Sequence, residues 1–391
     1  MNKVRFGIIG MGTMGTAHAN SFEKGSVENG VLTAVADDNA EKINAAREKF
    51  GDKIKYFAST KELLESGEID AVIVATPHYS HPEISIAVLN AGLHVVCEKP
   101  AGVYANQVRE MNEAAAKAKG LFTVMFNQRT NCVYRKMREL ISSGEVGSIK
   151  RVNWLITNWY RSQSYYDSSS WRATWAGEGG GVLANQCPHQ LDLLQWVTGM
   201  MPKKIRAFCH FGKWHDIETE DDVTAYMEFE NGATGAFITS TADCPGTNRF
   251  EIIGTLGKLV CENNELSFYK LEQDEREFNK TYKGGFGEPK SSKVEVELDG
   301  KNPQHIGILN NFANAILGLE PLFVDGKEGI KGVEIMNAML LSTWLDKTVE
   351  VPVDGDLFYS YLKERIKTSK PKSAASVILN AEGTYGGSKS K

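Results

Sequence analysis

The chain has 391 residues, with 44 Lys and Arg against 49 Asp and Glu for a net charge of −5, and is 42% apolar and 24% charged. These proportions belong to a globular protein of roughly two domains and exclude collagen-like, fibrous and disordered classes. The mildly acidic balance carries no footprint for nucleic acid or an anionic membrane, and with no apolar run near roughly 18 residues and no signal segment the expected location is cytoplasmic.

The first third alternates short β-branched runs with helical patterns, which predicts a parallel sheet wound with helices. Strands are expected at Val4 to Ile9, Leu32 to Ala36, Ala71 to Ala75, His94 to Glu98 and Phe122 to Phe126, with helices over Ala40 to Phe50, Pro82 to Ala91 and Tyr104 to Ala118. After a helix at Val133 to Ser142 the period changes to consecutive strands: Val152 to Asn158, Lys203 to Phe211, Val223 to Phe229, Ala233 to Ser240, Arg249 to Ile253, Lys258 to Glu262 and Leu266 to Lys270. One helix, about Gln186 to Thr198, interrupts them, and His305 to Leu317 and Lys327 to Asp346 close the chain. Lys270 to Val294 reads as an exposed, unpatterned excursion. The expected fold class is therefore α/β, a doubly wound parallel sheet over residues 1–127 followed by an α+β domain with a large, mainly antiparallel open sheet over 128–367 and a flexible tail over 368–391.

Gly10-Met11-Gly12-Thr13-Met14-Gly15 follows the first strand and opens a helix. Gly10 permits a tight turn, Gly12 lets backbone approach a pyrophosphate, and Gly15 allows close helix packing, with the helix N-terminus facing the phosphates. Asp37, 22 residues after Gly15, stands where a carboxylate accepts from the adenosine ribose, and the adjacent Asp38 adds charge against a 2′-phosphate. The cofactor expected is NAD. A helix-leading turn is the bland alternative for the two aspartates.

The third strand ends in Ala75-Thr76-Pro77-His78, at the carboxyl edge where open α/β sheets bind ligands. Thr76, Pro77 and His78 are placed along the cofactor crevice, and His81 starts the next helix. His78 and His81 lack a third nearby ligand and the six cysteines have no CxxC pair, so no metal is expected. Glu98-Lys99-Pro100 ends a further strand beside the nicotinamide position. There Lys99 can hold a substrate hydroxyl and lower its pKa, unless it is a solvated turn lysine paired with Glu98; Pro100 fixes the turn.

The run Gly179-Gly180-Gly181 leads to Asn185, His189 and Asp192, which share one face if a single helix begins near Asn185. His189 suits a general base that takes a hydroxyl proton as hydride leaves the same carbon. Plainer readings remain: Asn185 as N-cap, Asp192 paired within the helix, His189 a satisfied core histidine.

Together, GIIGMGTMG, the Ala75-Thr76-Pro77 strand end with His81, AGLHVVCEKP, the GGG block with His189 and Asp192, and the late NNFANAI and NAMLLSTW helices resemble the Gfo/Idh/MocA oxidoreductases over nearly the whole chain through about residue 366. The resemblance implies a Rossmann domain, then an α/β domain whose open sheet forms homo-oligomer contacts. It also implies NAD(P)-dependent alcohol–ketone interconversion on sugars or cyclitols, with Lys99 polarising the hydroxyl and His189 the base. Many relatives carry aspartate four residues before the histidine; here Asn185 can orient a hydroxyl but cannot serve as base.

Trp154, Trp159, Trp171 and Trp175 fall within 22 residues, interleaved with Tyr160, Arg161, Tyr165, Tyr166, Asp167 and Arg172. Aromatic faces and planar charged groups suit a sugar or cyclitol pocket, and a packing corner or subunit interface is the alternative. Gln128, Arg129, Asn248 and Arg249 are further polar candidates. The expected activity is oxidation of a secondary hydroxyl of a sugar, glycoside or cyclitol, with C3 of a glucoside as one site; the rivals are an inositol dehydrogenase and an NAD-dependent glycosidase or lyase without net NADH.

Overall fold

A computed structural model describes residues 3–370 and residue 372. Six strands, β1 (Val4–Ile9), β2 (Gly30–Ala36), β3 (Lys55–Phe57), β4 (Ala71–Val74), β5 (His94–Cys97) and β6 (Phe122–Val124), form one sheet in the order β3-β2-β1-β4-β5-β6. Every pairing in it is parallel. Parallel strands are covered on both faces, so they must be apolar throughout, and all four residues of β4 are buried accordingly. The order reverses between β1 and β4, which opens a crevice at their carboxyl ends.

Nine further strands form the second sheet: β7 (Ile149–Ile156), β8 (Pro202–Phe211), β9 (Glu220–Phe229), β10 (Thr234–Ser240), β11 (Asn248–Gly254), β12 (Gly257–Glu262), β13 (Glu265–Leu271), β14 (Ser291–Val294) and β15 (Val349–Glu350). Their order is β14-β13-β12-β11-β7-β10-β9-β8-β15, antiparallel except for the β10–β7 pair. The alternation of β8 shows why one face is covered: Ile205, Ala207 and Cys209 are buried, whereas Phe208 and His210 are exposed. The Gly329–Leu345 helix lies on the covered face, with Ser342 accepting the Ala207 N–H at 3.0 Å and Thr343 the Cys209 N–H at 2.9 Å. The same helix reaches the first sheet's helices through Asn337, which accepts from Ala105 N and donates to Val103 O, both at 2.9 Å.

The α/β fold class holds, and several elements differ from expectation. The three-residue edge strand β3 and the Thr60–Glu65 helix are too short to leave a periodic signal. Lys270 to Val294 is not unpatterned: it holds a Glu275–Thr281 helix, and β14 pairs with β13. Thr368 ends a Gly355–Thr368 helix that the sequence reading missed, and most of the expected tail lies outside the described residues. Among the described residues no helix is long and apolar enough to cross a membrane.

Candidate functional site

Gly10 turns with φ +95, and a Cβ at Gly15 would sit 1.8 Å from the Gly10 carbonyl oxygen, so the Thr13–Glu23 helix packs on the turn only because residue 15 is glycine. A Cβ at Gly12 would meet nothing within 4 Å. Gly12 is the N-cap and offers no side-chain acceptor, so the first-turn N–H groups beside Thr13 and Met14 face this open space. Asp37 follows β2 directly and is buried, its carboxylate accepting from Met11 N at 2.7 Å and Asn39 N at 2.9 Å, with Lys42 at 3.3 Å. A carboxylate has about four lone-pair sites, so capacity remains for a ribose. Asp38 is exposed beside it. An open helix N-terminus with a carboxylate at the next strand end fits a dinucleotide.

Thr76, Pro77 and His78 line the same sheet edge. The Thr76 hydroxyl accepts from Ser80 at 2.8 Å, and Pro77 is exposed. His81 stands between two strand ends, its Nδ1 at 2.7 Å from Pro100 O and its Nε2 at 2.8 Å from Thr76 O. It therefore ties the chain after β4 to the turn after β5. His78 is buried with Nδ1 at 3.3 Å from the Glu178 carbonyl oxygen, and burial holds it well below the usual imidazole range.

Glu98 is buried and meets His18 Nε2 at 2.7 Å, while its other oxygen accepts the Lys99 N–H at 3.1 Å. Burial pushes its carboxyl up, but the His18 bond and charge outweigh it and bring it down to about 2. Glu98 is thus anchored away from solvent rather than paired with the Lys99 ammonium. The Lys99–Pro100 peptide is cis, and Lys99 Nζ crosses to the second sheet's domain, donating to Asn185 O at 3.0 Å.

The segment carrying Asn185 and His189 is not the single helix expected. A short Val182–Asn185 helix stops, the chain bends at Gln186 and Cys187, and a second helix runs Pro188–Thr198 with proline in its first turn. Asn185 is therefore no N-cap for the longer helix, and the shared face of Asn185, His189 and Asp192 does not exist. Asp192 points away into a buried pair with Arg129 and accepts from Gln195 at 3.0 Å, which removes it from the substrate set. His189 is half-buried; its Nδ1 has no hydrogen-bond partner among the described residues. Burial, then the charge of Lys99, hold its imidazole well below the usual range, so it is neutral with a free lone pair, at the cost of some basicity.

The aromatic cluster divides. Trp154 alternates inward on β7 and stacks on Phe250 at 4.0 Å, Trp175 packs edge-on against Trp344 and Phe211, and Tyr166 is buried with its hydroxyl on Thr241 at 2.8 Å. These three, of which Tyr166 and Trp175 were expected in the pocket, belong to packing. Tyr165 remains at the site: its hydroxyl receives Arg172 Nη1 at 2.9 Å and lies 3.4 Å from Asn185 Oδ1. Arg161 and Arg172 lie over its ring at 5.1 and 4.6 Å, and Trp171 meets His78 edge-on at 5.9 Å. Gln128 donates to Gln304 at 2.9 Å, at the start of the Gln304–Ile316 helix. Asn248 accepts from Trp154 Nε1, and Arg249 pairs with Glu251 and Glu262 on the open sheet face, so neither belongs to the site.

Three residues joined here were not singled out. His18 and His305 face each other at 5.7 Å beside Glu98, and Glu178 underlies Asn185. A lone acid in the apolar run Trp175-Ala176-Gly177-Glu178-Gly179 is the signal that marked Glu178 in the sequence; isolated histidines gave none.

Residues 4–126 match the model of the oxidoreductase family with an NAD-binding Rossmann fold, and residues 134–260 match the GFO/IDH/MocA C-terminal domain. The chain is 24% identical over 333 residues to myo-inositol 2-dehydrogenase of Thermotoga maritima, covering 83% of this chain and 92% of that protein. It is 24% identical to levoglucosan dehydrogenase of Pseudarthrobacter phenanthrenivorans, over 73% of this chain and 81% of that one. Among solved structures, the WlbA dehydrogenase from Bordetella pertussis in complex with NADH and UDP-GlcNAcA superposes with a TM-score of 0.77 at 26% identity, covering 90% of this chain and 99% of that chain.

Proposed function

This chain belongs to the Gfo/Idh/MocA family of NAD-dependent oxidoreductases, and we propose that it oxidises a secondary hydroxyl of a sugar, glycoside or cyclitol to a ketone. The observation that supports the reading is that the charge of Lys99 reaches the His189 imidazole: an ammonium held by Asn185 O at 3.0 Å beside an imidazole whose Nδ1 has no hydrogen-bond partner among the described residues. The ammonium retains donors for the reacting oxygen, which favours the alkoxide as it forms. The imidazole takes the hydroxyl proton. NAD, held by Gly10, Gly12, Thr13, Met14 and Asp37, supplies the acceptor for the hydride from the same carbon. Asn185, Tyr165, Arg161 and Arg172 orient the remaining hydroxyls, and Trp171 offers an apolar face.

With Trp154, Tyr166 and Trp175 withdrawn into packing, the aromatic wall that suggested a bulky glucoside contracts. A free sugar or inositol ring suits the remaining groups as well as C3 of a glucoside does. The test is to incubate the protein with NAD and a panel of glucosides, hexoses and inositols, following NADH absorbance and product mass. A product two hydrogens lighter than one panel member is expected; intact substrates throughout, with cofactor bound, would overturn the reading. Elimination of an aglycone without net NADH would instead assign a lyase.

The open face of the second sheet, with Phe208, Tyr226 and Tyr269 exposed on β8, β9 and β13, supports a homo-oligomer through that face. Sedimentation should give a dimer or tetramer, and Tyr226→Glu should lower the mass; a monomer for the parent protein would overturn this.

A further inference from the structure

Glu178 ends the segment before the three glycines and is 2% exposed. Its Oε2 accepts the Ala173 N–H at 2.6 Å, and its Oε1 accepts from Asn185 Nδ2. Ala173, a non-glycine at φ +51, holds a left-handed backbone conformation while making that bond. Burial pushes the Glu178 carboxyl up, and the charge of Arg172, the Ala173 N–H, the Asn185 amide and the charge of Lys99 act to keep it ionised, although among the described residues no lysine, arginine or histidine comes within 4.0 Å of it; a buried carboxylate held this way is costly. A fold that retains such a group, and strains backbone to hold it, gains something from it elsewhere. The partner residue shows where: Asn185 gives its side-chain N–H to Glu178 and its main-chain oxygen to the Lys99 ammonium.

We propose that Glu178 is a positioning residue for Lys99, fixing Asn185 so that its carbonyl oxygen holds the ammonium, and supplying the negative charge that faces this ammonium across Asn185. The inference rests on the reading of Lys99 as the group that binds the reacting hydroxyl. Burial pushes Lys99 down; Glu98 and Glu178 oppose that, while Arg172 and Arg161 reinforce it. His78 and His189 around it are held well below the usual range by burial and add no standing charge at neutral pH, and burial also lowers His81, against the two carbonyl oxygens that face its ring nitrogens. Glu98 is already committed to His18. Removing Glu178 therefore leaves Lys99 with two guanidinium neighbours and one engaged carboxylate. The Asn185–Glu178 bond also has a polarity: an amide donor at 185 requires an acceptor at 178.

The test uses the full-length protein loaded with NAD and the variants Glu178→Gln, Asn185→Asp and the double exchange, in which the new amide would donate to the new carboxylate and one negative charge returns. The first readout is the rate of Lys99 acetylation by isotopically labelled acetic anhydride, read by mass spectrometry without any sugar present. At a pH below the Lys99 pKa, Glu178→Gln should raise that rate by up to roughly tenfold for each unit of Lys99 pKa lost, less the lower nucleophilicity of the weaker amine, and the double exchange should bring it back. The second readout is steady-state oxidation of a panel substrate, where Glu178→Gln lowers kcat more than it raises KM and the double exchange recovers kcat. Glu178→Asp, which keeps the charge, should label Lys99 near the parent rate and serves if Glu178→Gln does not fold. Unchanged Lys99 labelling in Glu178→Gln, or a double variant no better than the singles, would overturn the proposal. Because labelling needs no substrate, that failure is distinct from the failure of the dehydrogenase reading, which the product assay alone decides.

Discussion

Arg129 and Asp192, each 1% exposed, meet through two parallel bonds, Nε to Oδ2 at 2.8 Å and Nη2 to Oδ1 at 2.6 Å. The pair joins the turn after β6 to the helix that carries His189, so the position of that histidine depends on a link to the segment by which the chain leaves the first sheet. Glu328 also meets Arg129, but it is partly exposed. Asp192→Ala leaves a guanidinium buried with half its partners gone and should lower unfolding free energy by about 3–5 kcal/mol, read by urea denaturation. A loss within experimental error would show that Glu328 alone satisfies Arg129.

His189→Ala should reduce kcat by roughly 10²–10⁴ while cofactor affinity, followed by NADH fluorescence, stays at the parent value. Among the described residues the His189 Nδ1 has no hydrogen-bond partner, so removing this side chain should cost chemistry rather than structure. Equal turnover in the variant would return the base role to another group.

Gly12→Ala and Gly15→Ala should separate binding from folding. The first places a methyl in open space at the helix N-terminus, so melting temperature holds while NAD binds about tenfold more weakly or worse, at least about 1.4 kcal/mol. In the second the methyl meets the Gly10 carbonyl at 1.8 Å, and the protein should melt at a lower temperature before any question of cofactor arises. Calorimetry with and without NAD distinguishes the two.

Glu220 predicts a stability term with an unusual sign. It is buried at the entrance of the Val182–Asn185 helix, accepts Gly181 N at 2.8 Å and Leu183 N at 3.0 Å, and is pushed up to about 7 by burial. An unfolded glutamate titrates near about 4.3, so between these values the folded state binds more protons and stability falls as pH rises. The contribution is complete below the unfolded pKa and lost through about pH 7. Glu98, brought down to about 2, acts oppositely: its contribution is present above about pH 4.3 and lost as pH falls toward about 2. The difference in unfolding free energy between Glu220→Gln and the parent should therefore grow from about pH 4.5 to about pH 7; a flat difference would rule the term out.

What the sequence disclosed follows from how local each signal is. The parallel sheet and the glycine turn were legible because apolar runs and a short motif carry them within a few residues, as β4 and Gly10 to Gly15 do. The paired helices at Asn185 and His189 were misread as one because Gln186 and Cys187 do not break a helical pattern; Pro188, suited to a helix's first turn, was the available mark. The aromatic cluster misled for a different reason. Trp154 sits in register with Val152 and Ile156, which period two on β7 would have assigned to the core, whereas Tyr166 lies in the five-residue helix Gln163–Asp167 and Trp175 in irregular chain, and their facing is set by Thr241 and Trp344, far along the sequence. Glu178 needed Asn185 and Ala173 placed around it before its chemistry could be seen.

The place of β7 in the second sheet has a consequence for how the chain is made. It lies at the middle, flanked by β10 and β11, whose residues begin at Thr234 and Asn248. A chain emerging from the ribosome can assemble the first sheet once Val124 is out, but β7 must wait, apolar face uncovered, until its neighbours arrive about 100 residues later. The helix bearing His189 is synthesised within that interval. Premature release or slow elongation through this stretch therefore exposes a hydrophobic central strand to aggregation.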